Sequence, residues 1–213
     1  MSLPLSARAK YLFIGDSITD ANRKADKDEG LGSGYVRLVR DYLCAKDAGH
    51  APQVMNRGVS GNKVPNLRQR WDADVIQLAP DVLSVMIGIN DVWHGLNPAW
   101  APGTEIGPYT DTYRELLGRV RKELPECAIV LCEPTIISPP AHANGNAPLR
   151  PYVSAVHELA REFKAEGLVK LHDVFLDAEK TRPDVKWTTD GVHPTSTGHM
   201  LIARQWLVAT ELL

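Results

Sequence analysis

The chain has 213 residues, 44% of them hydrophobic and 23% charged, with a formal net charge of −2. These proportions fit a soluble globular protein able to bury a sizeable core within one domain. The small charge gives no electrostatic case for nucleic acid or an anionic membrane, and no apolar run approaches the ~20 residues of a membrane-spanning helix.

Residues 1–6 lack a basic stretch followed by an apolar one and lead almost directly into a strand-like run, which predicts a cytoplasmic location. Apolar runs of strand length occur at 11–14, 53–55, 82–87, 128–132 and 169–171. Their continuous rather than alternating apolar character predicts strands buried on both faces, as in a parallel sheet. Helical spacing of apolar residues marks 34–46, 66–78, 109–124, 153–166 and 195–212. This alternation predicts an α/β sandwich with right-handed crossovers. No repeat, low-complexity tract or linker interrupts it, so one domain is expected over 1–213. The three cysteines, Cys44, Cys127 and Cys132, are odd in number and sit within predicted helix or strand, which predicts buried free thiols. Cys127 and Cys132, five apart on one strand, point to opposite faces and disfavour a metal pair.

Residues 94–108 and 134–151 are rich in proline and glycine and follow strands, which predicts two long loops. In a parallel sheet, ligands bind at the carboxyl ends of the strands, where both loops begin.

Four short motifs share that edge. Gly15-Asp16-Ser17-Ile18-Thr19-Asp20 places a serine in a strand-to-helix turn, with its hydroxyl and its N–H at the crevice. Asn56-Arg57-Gly58-Val59-Ser60-Gly61-Asn62 is a glycine-rich loop whose amides, Gly61 above all, can donate to an oxyanion. Gly88-Ile89-Asn90-Asp91 ends the most hydrophobic strand with an uncharged N–H₂ donor, Asn90. Asp190-Gly191-Val192-His193 offers a carboxylate and a histidine three apart, a base and its orienting partner for a nucleophilic serine. Each motif alone has a plainer reading as a helix cap, a connecting turn or a polar loop before the last helix.

Together and in this order, Ser17 in "FIGDSITD", Gly61 in "NRGVSGN", Asn90 in "MIGIND" and His193 in "DGVHPT", with Asp190 before it, resemble the SGNH or GDSL hydrolases. The resemblance spans 14–199. It implies a flavodoxin-like three-layer α/β/α sandwich with a five-stranded parallel sheet. It also implies ester hydrolysis in two steps, with a Ser17–His193–Asp190 triad and an oxyanion hole of the Ser17 and Gly61 N–H groups and the Asn90 amide. No metal or other cofactor is expected: Asp190, His193 and His199 make the nearest ligand set, and His199 falls within the last helix, where it packs or caps.

The strings Gly32-Ser33-Gly34-Tyr35-Val36, "NRGVSGN" and "MIGINDVWH" resemble bacterial carbohydrate acetylesterases, including xylan-deacetylating enzymes. That resemblance implies acetyl esters of sugars or short oligosaccharides as substrates, and a homo-oligomer. Candidate substrate contacts are Asp16, Trp93, His94 and Trp187, since tryptophan faces stack on sugar rings and a constricted aromatic pocket favours a small acyl group. A lysophospholipase, thioesterase or arylesterase of the same family, and a non-catalytic carbohydrate-binding protein, are the alternatives. The absence of Gly-x-Gly-x-x-Gly after the first strand disfavours dinucleotide binding.

Overall fold

The computed structural model of the chain describes residues 3–97 and 99–213. Met1 and Ser2 of the N-terminal reading, and Pro98 of the 94–108 loop, lie outside the described residues. Five strands, β1 (Lys10–Gly15), β2 (Gln53–Gly58), β3 (Val82–Met86), β4 (Ala128–Cys132) and β5 (Gly167–Val169), pair in parallel in the order β2-β1-β3-β4-β5. That is the flavodoxin-like order the resemblance implied.

The helices are α1 (Ser17–Asp20), α2 (Tyr35–Lys46), α3 (Val64–Trp71), α4 (Ile89–Trp93), α5 (Ile106–Glu123), α6 (Asn146–Glu162), α7 (His172–Thr181) and α8 (Ser196–Ala209). Helix α2 packs against α8, α3 against α5, and α5 against α6. Right-handed crossovers then place α2 and α8 on one face of the sheet and the other three on the opposite face. Side chains on β1 alternate to match. Tyr11 and Phe13 face α8, with ring centroids 6.2 and 5.2 Å from that of Trp206, and Phe13 meets Tyr35 of α2 at 5.9 Å. Burial of β1, β3 and β4 on both faces explains their continuous apolar sequences.

Several boundaries differ from expectation. Helix α6 begins at Asn146 and carries Pro151 inside it, so the expected 134–151 loop is much shorter. An interior proline costs ~3 kcal/mol. Leu149, Tyr152, Val156 and Leu159 are buried on the same helix, and each contributes about 1.5–3 kcal/mol. The apolar stripe wins. Helix α5 begins at Ile106, and α4 with the 3-10 turn His94–Leu96 takes up the start of the other expected loop. Helix α3 begins at Val64, with Pro65 in its first turn where no N–H partner is needed, and continues as a π-helical turn over Asp72–Ile76. Strand β2 continues to Gly58, and β5 lies two residues before the expected 169–171 run. Helix α7 was not expected, because it buries only His172 and Phe175 and shows too thin an apolar stripe. The cysteines are free, but Cys44 is half-buried rather than buried, and Cys127 precedes β4 rather than lying on it. Among the described residues no helix is long and apolar enough to cross a membrane.

One polar contact sits in the middle of this core: the indole Nε1–H of Trp206 donates to Ser84 Oγ on β3 at 3.0 Å, both residues being buried. A Ser84→Ala variant strands that donor and is expected to lose roughly 1–3 kcal/mol in denaturant unfolding. Unchanged stability would mean that the indole finds another partner.

Candidate active site

The sheet pairing levels three strand ends. Gly15 is opposite Gly58 of β2 on one side and Met86 of β3 on the other, so the chain leaves all three strands at one height. From β1, Asp16 caps α1 by accepting from Ile18 N–H at 3.0 Å, and Ser17 opens that helix. From β2 comes the loop holding Gly61, in the left-handed region at φ 78° with open space where a side chain would be. From β3, Gly88 caps α4 and Asn90 lies in its first turn.

Polar contacts brace these loops against one another. Arg70 of α3 donates to Asn62 Oδ1 at 2.9 Å, Arg57 O at 2.7 Å and Gly15 O at 3.1 Å. Asn90 Nδ2 donates to Asn62 O at 3.1 Å, which ties the end of β3 to the Gly61 loop. Asp20 accepts from the N–H and hydroxyl of Ser60 at 3.2 and 2.9 Å. The Ser17 and Gly61 N–H groups themselves make no hydrogen bond among the described residues.

The last motif arrives from the α7–α8 connection. Thr188 and Pro194 form an antiparallel bridge, and Thr189 N–H donates to His193 O at 2.7 Å, closing a tight loop. Asp190 Oδ1 accepts from the N–H groups of Val192 and His193 at 3.0 and 2.8 Å, while Oδ2 accepts from His193 Nδ1–H at 2.7 Å. That bond leaves Nε2 of the neutral ring as an acceptor, and the Ser17 hydroxyl donates to it at 2.9 Å. Burial works against the Asp190 charge, but the His193 N–H, the His193 ring and the Val192 N–H outweigh it and hold the carboxyl below its ordinary range. Gly191 has φ 90°, and a Cβ there would lie 2.0 Å from Ser138 O. Ser138 N–H donates to Gly191 O at 2.9 Å, so the segment after β4 clamps this loop.

Of the remaining candidates, Trp93 is brought to the site, its ring 5.8 Å from that of His193 and roughly perpendicular to it. Trp100 stacks edge-on against Trp93 at 4.9 Å, and His94 lies behind, 5.5 Å from Trp100. Burial lowers the His94 pKa, with Lys63 adding to the effect. Asp16 is not a surface contact as expected: it is 1% exposed and serves as a helix cap. Trp187 lies in a different groove with Pro139, Pro140 and Glu179, its indole bonded to Arg182 O at 3.2 Å. Asp91 does not cap α4. It is buried, and both its oxygens accept from Val64 N–H at 3.1 and 3.3 Å. Sequence reasoning missed Ser33, Ser60, Thr189 and Ser196, which border Ser17 and His193. No sequence signal separates these hydroxyls from ordinary loop serines and threonines. His199, read as a packing or capping residue, does cap: its Nδ1 accepts from Tyr35 N–H at 3.2 Å at the start of α2.

The GDSL-like lipase/acylhydrolase family pattern matches residues 13–201. An acetylxylan esterase from Geobacillus stearothermophilus is 35% identical over 215 residues, covering 96% of this chain and 95% of that protein. The crystal structure of Axe2, an acetylxylan esterase of the same organism, superposes with a TM-score of 0.85 at 33% identity, covering 97% of this chain and 96% of the other. Catalytic mutants of Axe2, one with a serine and one with an aspartate replaced by alanine, superpose at 0.87 and 0.86. A GDSL-like protein from Parabacteroides merdae gives 0.88 at 34% identity over the full length of both chains. With that pattern running through the strand-end loops just described, the chain belongs to the GDSL-like lipase/acylhydrolase family and is a carboxylic ester hydrolase.

Proposed function

We propose that the chain is a serine esterase that removes acetyl groups from carbohydrates such as acetylated xylo-oligosaccharides. The observation that carries this reading is the relay from Ser17 Oγ through the His193 ring to Asp190, with links of 2.9 and 2.7 Å. Ser17 Oγ attacks the ester carbonyl as its proton passes to His193 Nε2. Asp190 holds the ring in the tautomer that accepts this proton and stabilises the imidazolium that results. The N–H groups of Ser17 and Gly61 and the Asn90 amide receive the oxyanion. The carbon–oxygen bond to the sugar breaks as His193 returns the proton to the departing oxygen. Water, deprotonated by His193, then releases acetate.

A small acyl group suits the aromatic wall that Trp93 and Trp100 set against His193. The acetylxylan esterase likeness over nearly the whole chain supports the same substrate class. The proposal includes one catalytic domain, a cytoplasmic location and a homo-oligomer. The 134–151 segment and the loop around Trp100, which is 43% accessible, are the candidate subunit contacts.

An organophosphonate is expected to label Ser17 stoichiometrically, and folded protein that stays unlabelled and inactive would defeat the enzyme reading. Acetate release from acetylated xylose oligomers should accompany faster turnover of p-nitrophenyl acetate than of octanoate. Octanoate preference with no sugar deacetylation would point to the lipolytic alternative. An Asn90→Ala variant is expected to lower kcat by about 10²–10³-fold with a much smaller change in KM. A loss confined to KM would remove Asn90 from the oxyanion hole.

Two buried carboxylates beneath these loops tie the stability of the site to pH. Burial pushes Asp16 up to about 7, with the Asp91 charge adding to the effect, and pushes Asp91 up to about 6. Raised values mean that the folded state holds protons the unfolded chain releases, so stability falls as pH rises from the ordinary carboxylate range towards 7. Asp16→Asn keeps an acceptor for Ile18 N–H without the charge. Its unfolding free energy should fall less than that of the parent between pH 4 and 7, and an identical pH profile would rule the effect out.

A further inference from the structure

A cavity of about 560 Å³ opens beside Ser17 and His193, and its lining includes neither Gly61 nor Asn90. Its volume lies within the range of small-molecule sites, about 300–1,000 Å³. The wall is mixed: Ser33, Ser60, Thr189, Ser196 and His199 put hydroxyl and imidazole groups on it, beside the apolar surface of Ala21 and Pro194. The aromatic side chains lie elsewhere, with Trp93 and Trp100 bordering a separate, smaller groove of about 210 Å³.

The geometry of acyl transfer says which part of an ester this cavity receives. Around the tetrahedral carbon the oxyanion points to its donors, and the departing oxygen must reach the group that protonates it. That group is His193. A cavity bordered by the Ser17 and His193 side chains, with Gly61 and Asn90 lying outside its lining, is where the alcohol half of the ester lies.

His199 adds a fixed donor to this wall. Its Nδ1 accepts from Tyr35 N–H at 3.2 Å, so the ring proton of the neutral form is on Nε2. Nε2 makes no hydrogen bond among the described residues and is not among the side-chain atoms sealed from solvent without a partner. Burial lowers the pKa of His199 to about 4, helped by the charge of His193. His199 therefore remains a neutral donor while His193 is protonated, and adds no repulsion to the imidazolium.

We propose that this cavity is the leaving-group subsite and takes a polyhydroxylated alcohol, a sugar ring, through His199 Nε2–H and the hydroxyls of Ser33 and Ser196. The proposal rests on the serine-esterase reading above and assigns its two halves: the sugar beside His199, the acetyl group towards the aromatic wall.

The test compares kcat/KM for acetylated xylobiose and for phenyl acetate in the parent, Ser33→Val, His199→Phe and His199→Gln. Losing one hydrogen bond should lower the sugar-to-phenyl ratio about three- to tenfold in Ser33→Val and His199→Phe, chiefly through KM for the sugar ester. In His199→Gln the amide can accept from Tyr35 N–H and donate to the cavity, so the ratio should recover. Unmodified xylobiose should also inhibit phenyl acetate hydrolysis competitively, and less well in the first two variants. Should His199→Phe fail to fold, Ser33→Val still decides, because Ser33 is exposed and bonds only to Ala21 O at 3.3 Å. Parental ratios in the folded variants would overturn the subsite while leaving the esterase reading intact. A parent that hydrolyses neither ester and leaves Ser17 unlabelled would remove both.

Discussion

The site depends on β1 being paired in parallel with β2 on one side and with β3 on the other. Parallel pairing sends all three carboxyl ends to one edge, and the register brings Gly15, Gly58 and Met86 to one level. The loops that follow have little freedom in where they begin. Arg70 then joins the first two by donating to carbonyls of Gly15 and Arg57, and Asn90 joins the third through Asn62 O. The proposed oxyanion donors are thus held in place by the fold itself, the condition under which such groups are most effective. The aromatic packing of Tyr11 and Phe13 against Trp206 holds β1 against α8 on one face of the sheet.

The fourth loop is built on a different device. One Asp190 oxygen folds the loop by accepting two backbone N–H groups, and the other orients the His193 ring. A single side chain thus sets both the backbone turn and the imidazole tautomer. The Ser138–Gly191 hydrogen bond carries that order to the segment after β4. Gly191 makes the approach possible, since any Cβ there would collide with Ser138 O. The proposed alcohol side, by His199, and the proposed acyl side, by Trp93, then lie on different borders of the Ser17–His193 pair.

Much of this was legible in the chain. The strands were readable because burial on both faces demands continuous apolar runs, a signal needing no partner to interpret. The four motifs were readable because each combines residue types that strand-end loops use, and because their order along the chain resembles that of the SGNH or GDSL hydrolases. Other features misled for physical reasons. Pro151 reads as a helix breaker, yet four buried side chains on α6 outweigh it. Helix α7 buries too little to announce itself. Asp16 has the composition of a substrate contact but is enclosed under α1, and Trp187 faces another groove.

By itself the amino-acid sequence determined the alternation of strands and helices, the parallel sheet, and the small set of serine, glycine, asparagine, aspartate and histidine residues at its carboxyl edge. These follow from local periodicity and from motif chemistry, both of which act over a few neighbouring residues. Only the tertiary structure decided that His199, 164 residues from Tyr35, accepts its N–H and lines the same cavity as Ser17. It also decided which tryptophan meets His193, and that Ser33, Ser60, Thr189 and Ser196 share one wall. Those outcomes are set by strand order and helix packing, which bring distant segments together at distances no local pattern encodes.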